Sequence, residues 1–262
     1  MLLCKRAMFS YGESTMKTSL PRRSAGWLIV TLSLPFALQS FGAIIHNYEL
    51  DGSFADSLGG PSLVANGGTI NATDYSFGPN QGLTLSNAFP NPANYSILVD
   101  FSLSTLSGYR RLVDFKNGTS DNGLYNLNSA LNFYPITTGA AVFAPDVPVR
   151  LILTRNSATD LFTGYINGSQ QISFTDGGHL SVFDASNVIM KLFIDDNLVG
   201  NEASAGHVSK IAIYDSPLTP TQVLALAAPP PPAVPEPGSA LFGLATLAIC
   251  LGKRSRRRVL AS

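Results

Sequence analysis

Residues 95–103 read Tyr-Ser-Ile-Leu-Val-Asp-Phe-Ser-Leu and alternate with a period of two. Tyr95, Ile97, Val99, Phe101 and Leu103 fall on one side of an extended chain, while Ser96, Asp100 and Ser102 share the other with Leu98. That period predicts a strand with one dry and one wet face. Val149, Leu151 and Leu153 repeat it opposite Arg150, Ile152 and Thr154. Residues 161–167 and 170–174 flank Asn167-Gly168, a dipeptide suited to the positive φ angles of a tight hairpin turn. Stretches 110–115, 190–194 and 208–214 add further strands, with Gly, Asn, Asp and Ser between them. Many short strands with such turns predict an all-β chain over residues 44–227, folded as a two-sheet antiparallel jelly-roll sandwich. One short helix is expected last, with Thr219 as N-cap, Pro220 at its first position, Gln222 closing a capping box, and an end near Ala227.

The two ends of the chain follow different rules. Lys17, Arg22 and Arg23 precede an apolar stretch at 25–38, broken by Thr31, Ser33 and Pro35, and small residues follow at Ser40, Gly42 and Ala43. Positive, apolar and small in that order is the layout of a secretory signal peptide, here residues 1–43, with Met16 as a second candidate start. At the other end, prolines 229–232 make residues 228–234 a stiff linker. Then come Pro235, Glu236 and Pro237, an apolar run at 238–252, and the basic cluster Lys253, Arg254, Arg256, Arg257 and Arg258. As a helix that run reaches about 22 Å, short of a ~30 Å hydrocarbon core, and the basic cluster suits the cytoplasmic side.

Motif, apolar run and basic end together resemble the PEP-CTERM sorting signal of Gram-negative bacteria, placed at residues 235–262. The resemblance implies export, transient anchoring in the inner membrane through the terminal apolar segments, and processing by an exosortase-type enzyme near the motif. The protein would then reside at the cell surface or outside the cell.

Removing both ends changes the chemistry of what is left. The whole chain is formally neutral, but only 7 of its 17 basic residues and 15 of its 17 acidic residues lie between the two terminal segments. A net charge of about −8 disfavours nucleic acid as a partner. Both cysteines, Cys4 and Cys250, and the single tryptophan, Trp27, fall in the ends. The central region therefore has no disulfide and no thiol chemistry, and at its length it can bury enough surface to stand without them.

A second resemblance rests on three stretches in order: the opening Tyr48-Glu-Leu-Asp-Gly-Ser-Phe-Ala-Asp-Ser-Leu-Gly59, the central Phe162-Thr-Gly-Tyr-Ile-Asn-Gly168, and residues 206–223, Gly-His-Val-Ser-Lys-Ile-Ala-Ile-Tyr-Asp-Ser-Pro-Leu-Thr-Pro-Thr-Gln-Val. They are similar to the first strand and turn, the mid-domain hairpin, and the closing strand and helix of LamG-like domains in the concanavalin A-like lectin/glucanase superfamily. That fold hosts lectins, hydrolases and inert spacers, so function needs separate evidence.

Catalysis finds little support. The superfamily's glucanases carry a Glu-x-Asp-x-x-Glu strand that puts two carboxylates on one face. Glu49 and Glu202 are the only glutamates between the ends, and neither has a partner at that spacing. His46, His179 and His207 stand isolated, so the chain is read as a non-enzyme.

Asp195, Asp196 and Glu202, in a loop after the 190–194 strand, are the candidate ligands of a calcium ion, which some LamG-like domains hold at a loop rim. Asp114, Asp121 and Asn122 form a weaker cluster, and Asp51 and Asp56 are assigned to turn structure. Tyr109, Tyr125 and Tyr134 are the candidate platforms for a sugar ring, with Arg110, Arg111, Asn126 and Asn128 near them in sequence.

These features point to an exported glycan-binding or adhesive module with an extracellular polysaccharide as partner. A structural matrix protein without a specific ligand is the alternative, and a glycoside hydrolase the more distant one. The sorting signal predicts loss of the tail: intact-mass measurement of exported protein is expected to show no residues 253–262, and their presence would refute the assignment.

Overall fold

The computed structural model describes residues 42–184 and 188–227. The sorting motif, the basic cluster, the linker and residues 1–41 of the signal segment lie outside the described residues. Among the described residues, no helix is long and apolar enough to cross a membrane.

Among the described residues, fifteen strands and one helix follow in order: β1 (Ile44–Tyr48), β2 (Val64–Ala65), β3 (Thr69–Ile70), β4 (Tyr75–Phe77), β5 (Leu83–Leu85), β6 (Tyr95–Leu103), β7 (Tyr109–Asp114), β8 (Gly123–Leu127), β9 (Ala130–Tyr134), β10 (Thr137–Ala141), β11 (Val149–Asn156), β12 (Leu161–Ile166), β13 (Ser169–Thr175), β14 (Met190–Leu192), β15 (Gly206–Tyr214) and α1 (Pro220–Ala227). They form two antiparallel sheets. The first runs β13-β12-β11-β6-β15-β4-β3, with β1 also pairing β15; the second runs β10-β9-β8-β7-β14-β5-β2. This is the two-sheet sandwich that the alternating segments predict.

The inner faces are built from the alternating positions. Tyr95, Ile97, Val99, Phe101 and Leu103 of β6 are all buried in the core beside Leu151, Leu153, Ile211 and Ile213. The second sheet contributes Leu83, Leu85, Val113, Leu124, Leu131, Phe133, Met190 and Leu192. Stacked, tilted and edge-on aromatic pairs run through the middle: Phe89–Phe183 at 4.7 Å, Phe115–Phe183 at 4.9 Å and Phe133–Phe162 at 5.1 Å. The β12–β13 hairpin turns on Asn167 (φ 49°) and Gly168 (φ 80°), the two positive angles its dipeptide favours.

The outer face of the first sheet explains two sequence anomalies. Leu98 and Ile152 sit on the side read as wet, yet both are buried. Helix α1 and the segment leading into it cover them: Leu218, just before the helix, and Val223 on it pack with Leu98, Ile152, Tyr165, Ala212 and Tyr214 in a second apolar cluster. The helix is tied down by polar contacts as well. Ser96 donates to the Ser216 carbonyl at 2.9 Å and accepts the Leu218 amide at 2.8 Å. Arg150 holds Asp100 through two bonds of 2.7 and 2.6 Å and also donates to the Leu226 carbonyl near the helix C-terminus, where a cation is favoured. The cap forms as the sequence predicts: the Thr219 amide donates to Gln222 Oε1 at 2.7 Å, and the Gln222 amide donates to Thr219 Oγ1 at 3.3 Å.

One strand is shorter than its sequence suggests. The 190–194 stretch pairs only through Leu192, because Phe193 adopts φ 60° and turns into the core. If α1 is an integral cover and not an appendage, Leu98→Ala should cost about 2–4 kcal/mol in urea unfolding. Leu224→Ala, at a residue 63 % exposed on the same helix, should change stability by less than about 0.5 kcal/mol.

Candidate functional site

The site lies on the outer face of the second sheet and starts from a bulge. Strand β7 pairs β8 with Arg111 opposite Tyr125 but Val113 opposite Leu124, so one extra residue, Leu112, is accommodated between them. Simple alternation would put Tyr109, Arg111 and Val113 on one face. The bulge resets the phase, leaving Tyr109 and Arg111 outside and Val113 inside. Tyr125 pairs Asn132, and Gly123 pairs Tyr134, so Tyr125 and Tyr134 join the same outer face.

The three tyrosines named from sequence therefore meet. Tyr109–Tyr125, Tyr109–Tyr134 and Tyr125–Tyr134 lie 5.4, 5.7 and 6.5 Å apart between ring centres, with interplanar angles of 80°, 81° and 85°. Tyr125 is buried and forms the floor; Tyr109 and Tyr134 are half-buried. With Asp121, Val199 and Glu202 they line a depression of about 240 Å³.

Beneath this floor lies a buried ion pair. The Arg111 side chain is fully buried, its guanidinium carbon 4.2 Å from the centre of the Tyr125 ring. It bonds to Asp196 Oδ2, lies 3.7 Å from Asp121 Oδ1, and donates to the Asn122 carbonyl at 3.3 Å. The guanidinium fits because residue 123 is glycine: a Cβ there would collide with Arg111 Nη1. The Tyr125 hydroxyl reaches both the Asp121 carbonyl at 2.8 Å and Asp121 Oδ1 at 2.9 Å, and burial pushes its ionisation far above the ordinary range.

The loop at 195–202 is shaped by its own carboxylates. Asp196 Oδ1 accepts the Leu198 and Val199 amides at 2.6 and 3.0 Å, and Asp195 accepts those of Asp196 and Glu202 at 3.1 and 2.9 Å. The Arg111 amide in turn donates to the Glu202 carbonyl at 2.7 Å, stitching the loop to β7. Burial raises the Glu202 carboxyl above its usual range, and the negative charges of Asp121 and Asp195 add to the shift. Glu202 Oε2 and Arg111 Nε are both buried without a hydrogen-bond partner.

The calcium ligands expected from sequence separate here. Asp196 and Glu202 converge with Asp121, their closest oxygens all within 4.8 Å, whereas Asp195 is not in the group and its carboxylate accepts the Asp196 and Glu202 amides. Asp121 belonged to the weaker sequence cluster, and neither motif nor spacing marked it. Calcium takes six to eight oxygens. Here Arg111 already neutralises Asp196, and only two of the three carboxylates line the depression, so these residues fit a calcium ion poorly.

The remaining sequence candidates are engaged elsewhere. Arg110 donates to the Asn201 and Ala203 carbonyls at 2.6 and 3.3 Å, Asn126 donates to the Leu106 carbonyl at 2.8 Å, and Asn128 accepts the Gly108 amide at 2.8 Å. Asp114 accepts the Lys116 and Gly118 amides, and Asp56 accepts those of Asn47, Leu58 and Gly60, so both shape turns. His46 and His207 each face an aspartate, Asp56 at 2.7 Å and Asp74 at 3.1 Å, away from the tyrosines' depression.

No family model and no curated protein matches this sequence. Solved structures do resemble it in fold. Trypanosoma rangeli sialidase in complex with 2,3-difluorosialic acid superposes with a TM-score of 0.56 at 12 % identity, over 70 % of this chain and 32 % of the sialidase. Domain 4 of AbnA, a GH43 extracellular arabinanase from Geobacillus stearothermophilus in complex with arabinotriose, gives 0.51 at 18 %, over 72 % of this chain and all of that domain. The botulinum neurotoxin serotype D binding domain gives 0.50 at 14 %, over 70 % and 51 %. The chain thus spans about a third of the sialidase. At these identities the likeness is one of fold alone, that of a two-sheet antiparallel β-sandwich.

The buried pair carries a stability prediction. Arg111→Met should cost about 3–5 kcal/mol in urea unfolding, because Asp196 is left charged and unpaired in the interior. Arg111→Lys should recover only part of that, since an ammonium lacks the planar fork. A loss below about 1 kcal/mol for Arg111→Met would show that the pair does not hold the site together.

Proposed function

We propose that this chain is a glycan-binding module of an exported protein, with the tyrosine depression as its binding site. One observation carries the reading. Two half-buried aromatic rings, Tyr109 and Tyr134, stand over the same depression as two carboxylates, Asp121 and Glu202. A sugar ring presents an apolar face of C–H groups and a rim of hydroxyls, so it needs aromatic surface and well-placed acceptors together. The fold likeness to domain 4 of the arabinanase, a structure in complex with arabinotriose, is consistent with such use.

Export is part of the proposal and rests on the terminal sequences: a signal segment at 1–43 and a PEP-CTERM-like tail at 235–262 that an exosortase-type enzyme would process. An extracellular polysaccharide of the producing Gram-negative cell is then the natural partner. A hydrolytic reading draws on one specific feature, the nearness of the Asp121 and Glu202 oxygens in an open depression.

The test is co-sedimentation of the full chain with the producer's own polysaccharide, in calcium and in EDTA, with the supernatant assayed for new reducing ends. Binding that survives EDTA is expected, with no new reducing ends. Tyr109→Ala and Tyr134→Ala should each weaken binding about tenfold while leaving the melting temperature nearly unchanged. Failure of the intact chain to pellet would leave the structural-matrix reading in its place, and release of reducing ends would replace binding with hydrolysis.

A further inference from the structure

The depression has an unbalanced lining. Of the six residues around it, Asp121 and Glu202 carry carboxyl groups and none is basic. The nearby guanidinium does not redress this. Arg111 lies under the floor, fully buried, bonded to Asp196 and stacked on Tyr125, and reaches Asp121 only at 3.7 Å. The Glu202 carboxyl group takes a hydrogen bond from Tyr125, but its Oε2 is buried and has no partner. A buried acceptor without a donor costs free energy until something supplies one.

The aromatic walls narrow what that something is. Three rings cross at close to right angles, so their faces and edges alternate around the space instead of forming one flat shelf. A flat shelf suits a neutral sugar ring alone. Crossed rings beside carboxylates suit a cation, which is attracted to ring faces from more than one direction. Calcium would gain nothing from the rings and would find only two carboxylates on the lining. An acidic sugar would meet like charge. An ammonium group supplies several N–H donors, meets the negative charge, and is stabilised by aromatic faces.

We infer that the depression selects a sugar bearing a free protonated amine, such as a de-N-acetylated hexosamine unit of a polysaccharide, with the ammonium set against Glu202 and Asp121 and between the Tyr109 and Tyr134 rings. The inference rests on the glycan-binding reading and specifies its ligand class. The space of about 240 Å³ lies just under the ~300–1,000 Å³ of drug-sized pockets, which suits a single residue of a longer chain.

Isothermal titration of the full chain with three oligosaccharides of equal length tests it: β-1,4-glucosamine, β-1,4-N-acetylglucosamine and β-1,4-glucose, at low salt and a pH that keeps the amine charged. The glucosamine oligomer is expected to bind about tenfold or more tightly than the other two, with the margin shrinking as salt rises. Glu202→Gln should remove most of that margin without lowering the melting temperature; Tyr134→Ala at the rim serves as the second variant if Glu202→Gln misfolds. Equal binding of all three oligomers would overturn the amine inference and leave the glycan module standing. Binding of none would overturn the amine inference, and the glycan module would fall with it only if the intact chain also fails to pellet with the producer's own polysaccharide. Polylysine binding as tightly as the glucosamine oligomer would show that charge alone is read, and would overturn the assignment to a sugar.

Discussion

The first sheet closes on its last strand. β15 pairs β6 from Gly206↔Leu103 to Tyr214↔Ser96, while its other edge takes β4 at Gly206–Val208 and β1 at Ile211–Tyr214. Three stretches separated by tens to more than a hundred residues in sequence meet on this one strand. Pairings of that range carry a loop-closure cost that local contacts do not. Everything that follows depends on it. β15 presents Ile211 and Ile213 to the core and Ala212 and Tyr214 outward, and the chain then runs directly into the helix that covers those outward residues. A one-residue slip of β15 would invert both faces at once.

The second sheet has a different organising point, the Arg111 bulge. Moving a guanidinium out of water is costly, and its attraction to Asp196 offsets that cost only with good geometry around it. The structure supplies this geometry from four places: Asp196 from the 195–202 loop, the Asn122 carbonyl, the face of Tyr125, and the empty side of Gly123. The same ion pair that fixes the loop against the sheet fixes where Val199 and Glu202 stand relative to the tyrosines. Stability and the candidate site are therefore one construction on this face.

A sandwich of this kind permits many uses, and its two outer faces show why. One is closed by α1 and by the Arg150–Asp100 pair. The other keeps an open depression whose walls combine aromatic rings with acceptors.

Much of the fold was legible in the chain itself. The alternation at 95–103 became β6 with the same bounds, Asn167-Gly168 became the β12–β13 turn, and Thr219 and Gln222 became the helix cap, because each depends on neighbours within a few residues. The charge balance and the loss of cysteine from the central region also follow from sequence alone. The β8–β9 hairpin escaped notice, since its turn is Asn128-Ser129, with φ 49° and 74°, and not an Asn-Gly pair. Leu98 and Ile152 looked misplaced until the helix was seen above them. Three tyrosines could be named from sequence, and Asp121 as part of a weaker cluster, but not the bulge that turns Tyr109 and Arg111 outward, nor the convergence of Asp121 on Asp196 and Glu202, nor the diversion of Asp195 to backbone amides. Sequence determines which residues alternate, turn and cap, because those are short-range properties of the backbone. Which side chains from distant strands share a face is decided by the register of the sheets, and only the tertiary structure holds that register.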